Sequence, residues 1–375
     1  MSLAIKILKD IISIPSQVDI NPEKDVADYF IKLFNGKGFD VKVFEFAKNR
    51  PNIIARYKFS KPGPTVIFNG HMDTKPAENG EENVKWKTNP FLPVVLDGKI
   101  FGLGACDMKG GIASAVSAIL RCIDENSGSG EVIVNLVSDE ESTSLYGTVP
   151  ICENRLLSGD IAIVMEPTEC RVCKKQMGNM FFKSNIRGIG GHTGVPDGKV
   201  NPFNIASKYL HRLEEWILTK RVNKDDLQPF INVGRYDGGT SSGTIPSECT
   251  LFWGTRVMPN DSFFEYFREV RELTDEFNLE LDIGCDVSTK LFEGGGIDSF
   301  ACESFLLDKL VEKTGAKEDM FCASSDAGFI YNMLNVNSCI FGPGSLKQAH
   351  LPNEFVEIEQ VERCERIIYE FLRKE

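Results

Sequence analysis

Histidine is scarce in this chain: four residues among 375, at positions 71, 192, 211 and 350. Imidazole is the side chain that most readily exchanges a proton or holds a metal near neutral pH. Any such chemistry here has to be assembled from those four and the carboxylates around them. Positive charge is also short, with 42 Lys and Arg against 54 Asp and Glu and a net charge of −12. No basic stripe is left to neutralise phosphates, which argues against a nucleic-acid partner. No apolar run approaches the roughly 20 residues that a membrane-spanning helix needs. The opening stretch MSLAIKILKDIISIPS is broken by Lys6, Lys9 and Asp10 and has no small-residue cleavage site, so it reads as an amphipathic helix rather than a secretory leader. Eleven cysteines, an odd number, lack the spacing of a disulfide framework. With that first helix they point to reduced thiols and a cytoplasmic protein. Cys170-Arg-Val-Cys173 has no second pair nearby and reads as two ordinary thiols.

What is present is alternation. NPEKDVADYFIKLFNGKGF reads as a helix with Asn21 as its N-cap and Pro22 at its first position. DVKVFEF, NIIARY and TVIFNG follow as strands, then a helix through GGIASAVSAILRCIDE, then EVIVNLVSDEE and DIAIVMEP. Continuous Val/Ile runs ending in acids suit parallel strands buried on both faces. Helices alternating with such strands imply an α/β sheet. After residue 177 the pattern changes to alternating strands (NMFFKSNIR, QPFINVGRYDGG, ECTLFWGTRVMP) and two amphipathic helices, the mark of a smaller α+β sandwich. A chain this long exceeds one core. The division is therefore 1–177, an inserted domain at 178–288, and 289–375 returning to the first domain. Gly294-Gly295-Gly296 reads as a flexible loop.

In an α/β sheet, functional groups collect beyond the carboxyl ends of the strands. His71 and Asp73 (FNGHMDT), Asp107 (GLGACDMKGG), Glu140 and Glu141 (VSDEES), Glu166 (VMEPTE) and His350 (GPGSLKQAHLPNEF) all follow apolar runs or lie in Gly-rich turns. So many acids sharing one cleft would repel strongly unless cations neutralised them. Two imidazoles with carboxylates suit zinc, cobalt or manganese. If two ions lie about 3.5–4 Å apart, one carboxylate has to bridge them. GLGACD is not a dinucleotide fingerprint, because Asp107 stands where the third glycine would be.

Taken in order, FNGHMDT, WKTNPFLPVVLDGKIFGLGACDMKGG, SDEES, EPTE, GHTGVPDGKVNP and GPGSLKQAHLPNEF resemble the motifs of the dinuclear-zinc amidohydrolases. That family includes acetylornithine deacetylase, succinyl-diaminopimelate desuccinylase, carboxypeptidase G and aminoacylase. The resemblance spans nearly the whole chain and implies a zinc-peptidase-like catalytic domain with a mostly parallel central sheet, interrupted by a lid or dimerisation domain. It implies two Zn2+ (or Co2+ or Mn2+), with His71 and Glu166 on one ion, Glu141 and His350 on the other and Asp107 bridging. Glu140 would be the general base, Asp73 would hydrogen-bond His71 and fix its tautomer, and a cis peptide would follow Asp107. Adjacent residues in extended chain would let Glu140 and Glu141 face opposite ways. His192 would reach a partner subunit's cleft as an oxyanion donor in a homodimer, and Arg256 would pair with the substrate carboxylate. His211, on a helix, reads as exposed.

Two departures blur the substrate: Leu103 where many relatives have arginine, and Gly243 where many have asparagine. The expected activity is amide hydrolysis of an N-acyl amino acid, with a dipeptidase or carboxypeptidase as the alternative. A non-catalytic binding protein on the same scaffold would be expected to have lost Glu140 or a ligand, and every position is filled.

Overall fold

The computed structural model describes residues 2–78, 85–221, 228–259, 261–315 and 318–373. It divides into two units: residues up to Lys175 with Ala301–Phe321 and everything from Ser325, and Gln176–Phe300 with Cys322–Ser324.

The larger unit is built on a mixed sheet whose centre is parallel. Strands Ser129–Val137, Lys61–His71, Ile161–Val164 and Asn337–Ile340 lie side by side in that order. Arg50–Lys58 and Asp40–Ala47 extend one side antiparallel, and Cys173–Gln176 pairs antiparallel on the other. The β-branched runs IAIV and VIVNLV fill the middle because a doubly covered strand has no polar face. Helices Leu3–Ile12, Gly110–Asp124 and Ile358–Leu372 pack on one another. Thr148–Glu153 packs on Ala327–Leu334, which in turn meets the Ile161–Val164 and Asn337–Ile340 strands. Among the described residues no helix is long and apolar enough to cross a membrane.

Register brings the strand ends level. His71 pairs with Val137 and Asn69 with Val164, so the chain turns out of three neighbouring strands at nearly the same height. One contact there requires glycine: a Cβ on Gly111, at the start of the Gly110–Asp124 helix, would lie 2.0 Å from the Met165 carbonyl oxygen. Gly111→Ala is expected to cost about 1–3 kcal/mol of stability, the usual range for overpacking. Urea unfolding checks this, and an unchanged midpoint would count against so tight a contact.

The smaller unit is a four-stranded antiparallel sheet in the order Asn232–Gly238, Glu248–Val257, Gly178–Arg187, Asp286–Ile297. Helices Pro202–Leu218 and Phe263–Leu279 supply Tyr209, Leu213, Tyr266 and Val270 to a core shared with Phe182, Leu251 and Trp253 of the sheet. Asn201 caps the first helix by accepting the Phe203 N–H, and Ser262 caps the second through Glu265 N–H.

The boundary after residue 288 needs correction. Strand Asp286–Ile297 belongs to this sheet throughout, and the unit runs to Phe300. The glycines read as a loop are its irregularity: the register shifts between Leu291 and Gly296. Gly296, at φ +134°, approaches the Asn179 carbonyl so closely that a Cβ would lie 2.1 Å from it. Glycine here serves close backbone approach within a bulged strand.

Candidate metal centre

His71 ends the Lys61–His71 strand and is 1% exposed. Its Nδ1 lies 2.9 Å from the main-chain oxygen of Asp73. A carbonyl can only accept, so Nδ1 carries a proton, and Nε2 is the nitrogen that can serve a metal once its own proton is given up. Nε2 points at Asp107 Oδ1 (3.1 Å), with Glu166 Oε1 at 3.7 Å and Glu140 Oε2 at 3.9 Å.

The role expected of Asp73 changes accordingly. Its carboxylate stands 3.7 Å from Nδ1, too far for a hydrogen bond. Instead it accepts the main-chain N–H groups of Glu140 (3.3 Å) and Glu141 (3.0 Å). Asp73 thus orients the ring through its backbone and the neighbouring turn through its side chain. Burial pushes its carboxyl up to about 7, against the pull of His71.

Glu140 and Glu141 do not lie in extended chain. They follow Asp139, whose φ is +71°, in a turn between the Ser129–Val137 strand and the Thr148–Glu153 helix. The turn, and not a β pleat, separates them. Glu140 faces His71, while Glu141 Oε2 sits 2.9 Å from His350 Nε2. Asp139 holds the turn by accepting Thr143 Oγ1–H (2.7 Å) and Tyr146 N–H (3.1 Å), and it pairs with Arg50 at 2.8 Å. Buried Asp326 fastens the far end, accepting from Ser144 Oγ (3.0 Å) and Thr148 Oγ1 (2.6 Å).

Asp107 joins the two imidazoles. Oδ1 meets His71, and Oδ2 lies 3.3 Å from His350 Nε2. Burial alone would raise its carboxyl, but the two imidazoles outweigh burial and hold it well below the usual carboxylate range. Burial, with Asp107 beside it, raises Glu166 well above the ordinary value. Glu140 is raised in the same direction, chiefly by burial. His350 is drawn up to about 10, since Asp107 and Glu141 overcome its partial desolvation. The Asp107–Met108 peptide is cis.

The structure therefore brings His71, Asp73, Asp107, Glu140, Glu141, Glu166 and His350 together in one unit. His71, Asp107 and Glu141 each offer a ligand atom within 4.8 Å of the others, as do His71, Glu140 and Glu166. Among the described residues, the cations within ion-pair range of these acids are His71, His350 and Lys75. That excess of buried carboxylates, next to an imidazole whose Nε2 is directed inward, fits divalent metal. Sequence reasoning missed Asp326, Lys109 and Glu354. Lys109 is buried and donates to the carbonyls of Ile11 (2.9 Å) and Ile14 (3.2 Å), and burial lowers its ammonium to about 7. Glu354, 2% exposed, accepts three main-chain amides from the turn that carries Asp107. Only its place four residues after His350 could have drawn notice.

His192 and Arg256 lie in the other unit. His192 is exposed, and its Nδ1 accepts the Gly194 N–H at 3.0 Å, which leaves Nε2 as the donor of the neutral ring. The short pairing of Gly191–His192 with Thr244–Ile245 holds its loop beside Gly243. Arg256, mostly withdrawn from solvent, donates to Ser324 Oγ at 3.3 Å and makes no ion pair with a described residue. His211 is exposed beside Glu214 and Glu215. Cys170 and Cys173 are buried, as ordinary thiols would be.

Imidazoles and carboxylates gathered at the ends of parallel strands, with a further glutamate beside them, form a cluster able to hold metal, as in a metal-dependent hydrolase. The chain belongs to peptidase family M20/M25/M40, whose model matches residues 67–374. It is 30% identical over 393 residues to the succinyl-diaminopimelate desuccinylase of Rickettsia akari (strain Hartford), covering 98% of each chain. Its fold is shared with a tripeptidase from Staphylococcus aureus (TM-score 0.80, 20% identity, 99% of this chain and 97% of that one). It is shared too with an M20 metallo-carboxypeptidase from Sulfolobus solfataricus (TM-score 0.79, 17% identity, 99% of both chains). A dinuclear metal-binding M20 peptidase from Bacillus subtilis aligns at TM-score 0.71 and 15% identity over 98% of this chain and 96% of its own. The protein is a hydrolase of this family.

Proposed function

We propose that the protein is a cytoplasmic N-acyl-amino-acid deacylase, of the desuccinylase or acetylornithine deacetylase kind, working with two zinc ions. The observation that carries the hydrolytic reading is Asp107, with one oxygen on each imidazole and Glu140 beside His71. His71 and Glu166 would hold one ion, Glu141 and His350 the other, with Asp107 between them. A bound divalent pair supplies Lewis acidity to the scissile carbonyl and makes the attacking water more acidic. Glu140 takes the proton from that water and returns it to the leaving nitrogen. Asp73 keeps the His71 ring and the Glu140–Glu141 turn in register with each other.

Arg256 supports the N-acyl amino acid reading, because a partly desolvated guanidinium with no acid partner among the described residues suits a substrate carboxylate. The relative's name favours a deacylase. His192, with Nε2–H free to donate, is assigned to the oxyanion of a partner subunit's site in a homodimer formed through the smaller unit. The test is a panel of N-succinyl, N-acetyl and dipeptide substrates on zinc-loaded protein. N-Acyl substrates should lead in kcat/KM, and Arg256→Met should raise KM for them by about tenfold or more, the worth of a charge-assisted contact. Preferential cleavage of dipeptides would turn the assignment to a dipeptidase.

A further inference from the structure

Glu354 takes no part in the ligand set, yet no other side chain described around the centre makes as many main-chain contacts with the Asp107 turn. Its Oε2 accepts the Gly104 N–H at 2.8 Å, and its Oε1 accepts those of Cys106 at 2.7 Å and Asp107 at 3.0 Å. Its own carbonyl accepts the Gly102 N–H at 3.1 Å. From there the chain continues as an antiparallel ladder, Phe355 opposite Phe101 and Val356 opposite Ile100. These contacts join the segment bearing His350 to the segment bearing Asp107. The turn needs such a partner: it precedes the Gly110–Asp124 helix, Gly104 has φ +76°, and the amides in question are turned into the protein. Buried N–H groups without acceptors are costly. A carboxylate is the acceptor best able to take three at once.

We propose that Glu354 is the positioning residue of the dinuclear centre: it holds Asp107 and His350 in one fixed relation, so that the two Asp107 oxygens face two ions at the same time. This rests on the two-ion reading given above. The main-chain N–H of Asp107 itself is accepted by Glu354; the turn's other side-chain tie to the His350 loop is the weak thiol bond from Cys106 to the Ser345 carbonyl (3.3 Å), and the contact of the Asp107 carboxylate with His350 is itself between two ligands. Groups that orient ligands typically contribute about 10–100-fold to metal affinity.

The test uses the full-length protein, stripped and then titrated with Zn2+ or Co2+, with metal counted by elemental analysis and affinity measured by calorimetry. Wild type should take up two ions. Glu354→Gln places an amide N–H where a main-chain N–H must be accepted, so the weaker ion should be held about 10–100-fold less tightly and its occupancy lost first. Glu354→Asp keeps the charge, shortens the reach, and decides the matter if the glutamine variant does not fold. A folded variant that binds both ions as wild type does would overturn the assignment. Wild type that binds a single ion would instead overturn the two-ion reading, so the two failures are told apart by the wild-type titration. A role confined to folding would lower the unfolding midpoint of stripped protein and leave both affinities where they were, and that result also overturns it.

Discussion

Glu140→Gln is expected to keep its full metal content and lose turnover by about two to four orders of magnitude, the usual worth of a positioned acid–base group. Glutamine preserves the side chain's shape but neither takes the proton from water nor returns it to nitrogen. The proposed ligands His71, Asp107, Glu141, Glu166 and His350 are untouched, so substrate binding should hold and KM should move little while kcat falls. Near-wild-type hydrolysis by this variant would remove Glu140 from the mechanism. The same variant tests the partner subunit's His192. A Glu140→Gln chain and a His192→Ala chain should each be nearly inactive if His192 acts across a dimer interface. Mixed as dimers, they combine an intact Glu140 with an intact His192 in one site of each heterodimer, so an equal mixture should recover about a quarter of wild-type activity. No recovery on subunit exchange would mean that His192 does not act across an interface.

Stripping the metal is the second large effect. Prolonged chelation should abolish hydrolysis, and Zn2+, Co2+ or Mn2+ should restore it to different extents. Removal also exposes the repulsion among Asp107, Glu140, Glu141 and Glu166, which the two imidazoles and Lys75 compensate only in part. Because the ligands meet only in the folded chain, metal stabilises the folded state alone, by about 2.7 kcal/mol at a hundredfold excess over Kd. Thermal unfolding with and without metal reads that gain. Chelated protein with full activity and an unchanged midpoint would end the metal assignment.

The gathering of acids and imidazoles at the strand ends was legible because burial writes itself into sequence. IAIV and VIVNLV suit doubly covered strands, and an acid or histidine directly after such a run has few places to point. The separation of Glu140 from Glu141 was anticipated for the wrong reason. A pleat and a turn entered at positive φ both part adjacent side chains, and the letters SDEES do not distinguish them. Asp73 was placed correctly with its atoms misassigned, since which of its oxygens meets His71 depends on the path after the strand. Glu354 and Asp326 stayed hidden because their partners are main-chain amides and hydroxyls, which impose no spacing that a sequence would display. The domain boundary slipped because three glycines signal a loop and a bulged strand alike, and only the approach of Asn179 to Gly296 chooses between them.

The order in which these residues leave the ribosome is their order in the sequence. His71, Asp107, Glu141 and Glu166 are all made in the first half of the chain, whereas His350 arrives near its end, on a segment that must lace back beside Lys99–Phe101. A nascent chain therefore carries most of the acidic cluster long before the last imidazole can join it. A chain cut short before Ser345 has the acids, the parallel strands that hold them and no second imidazole to join them.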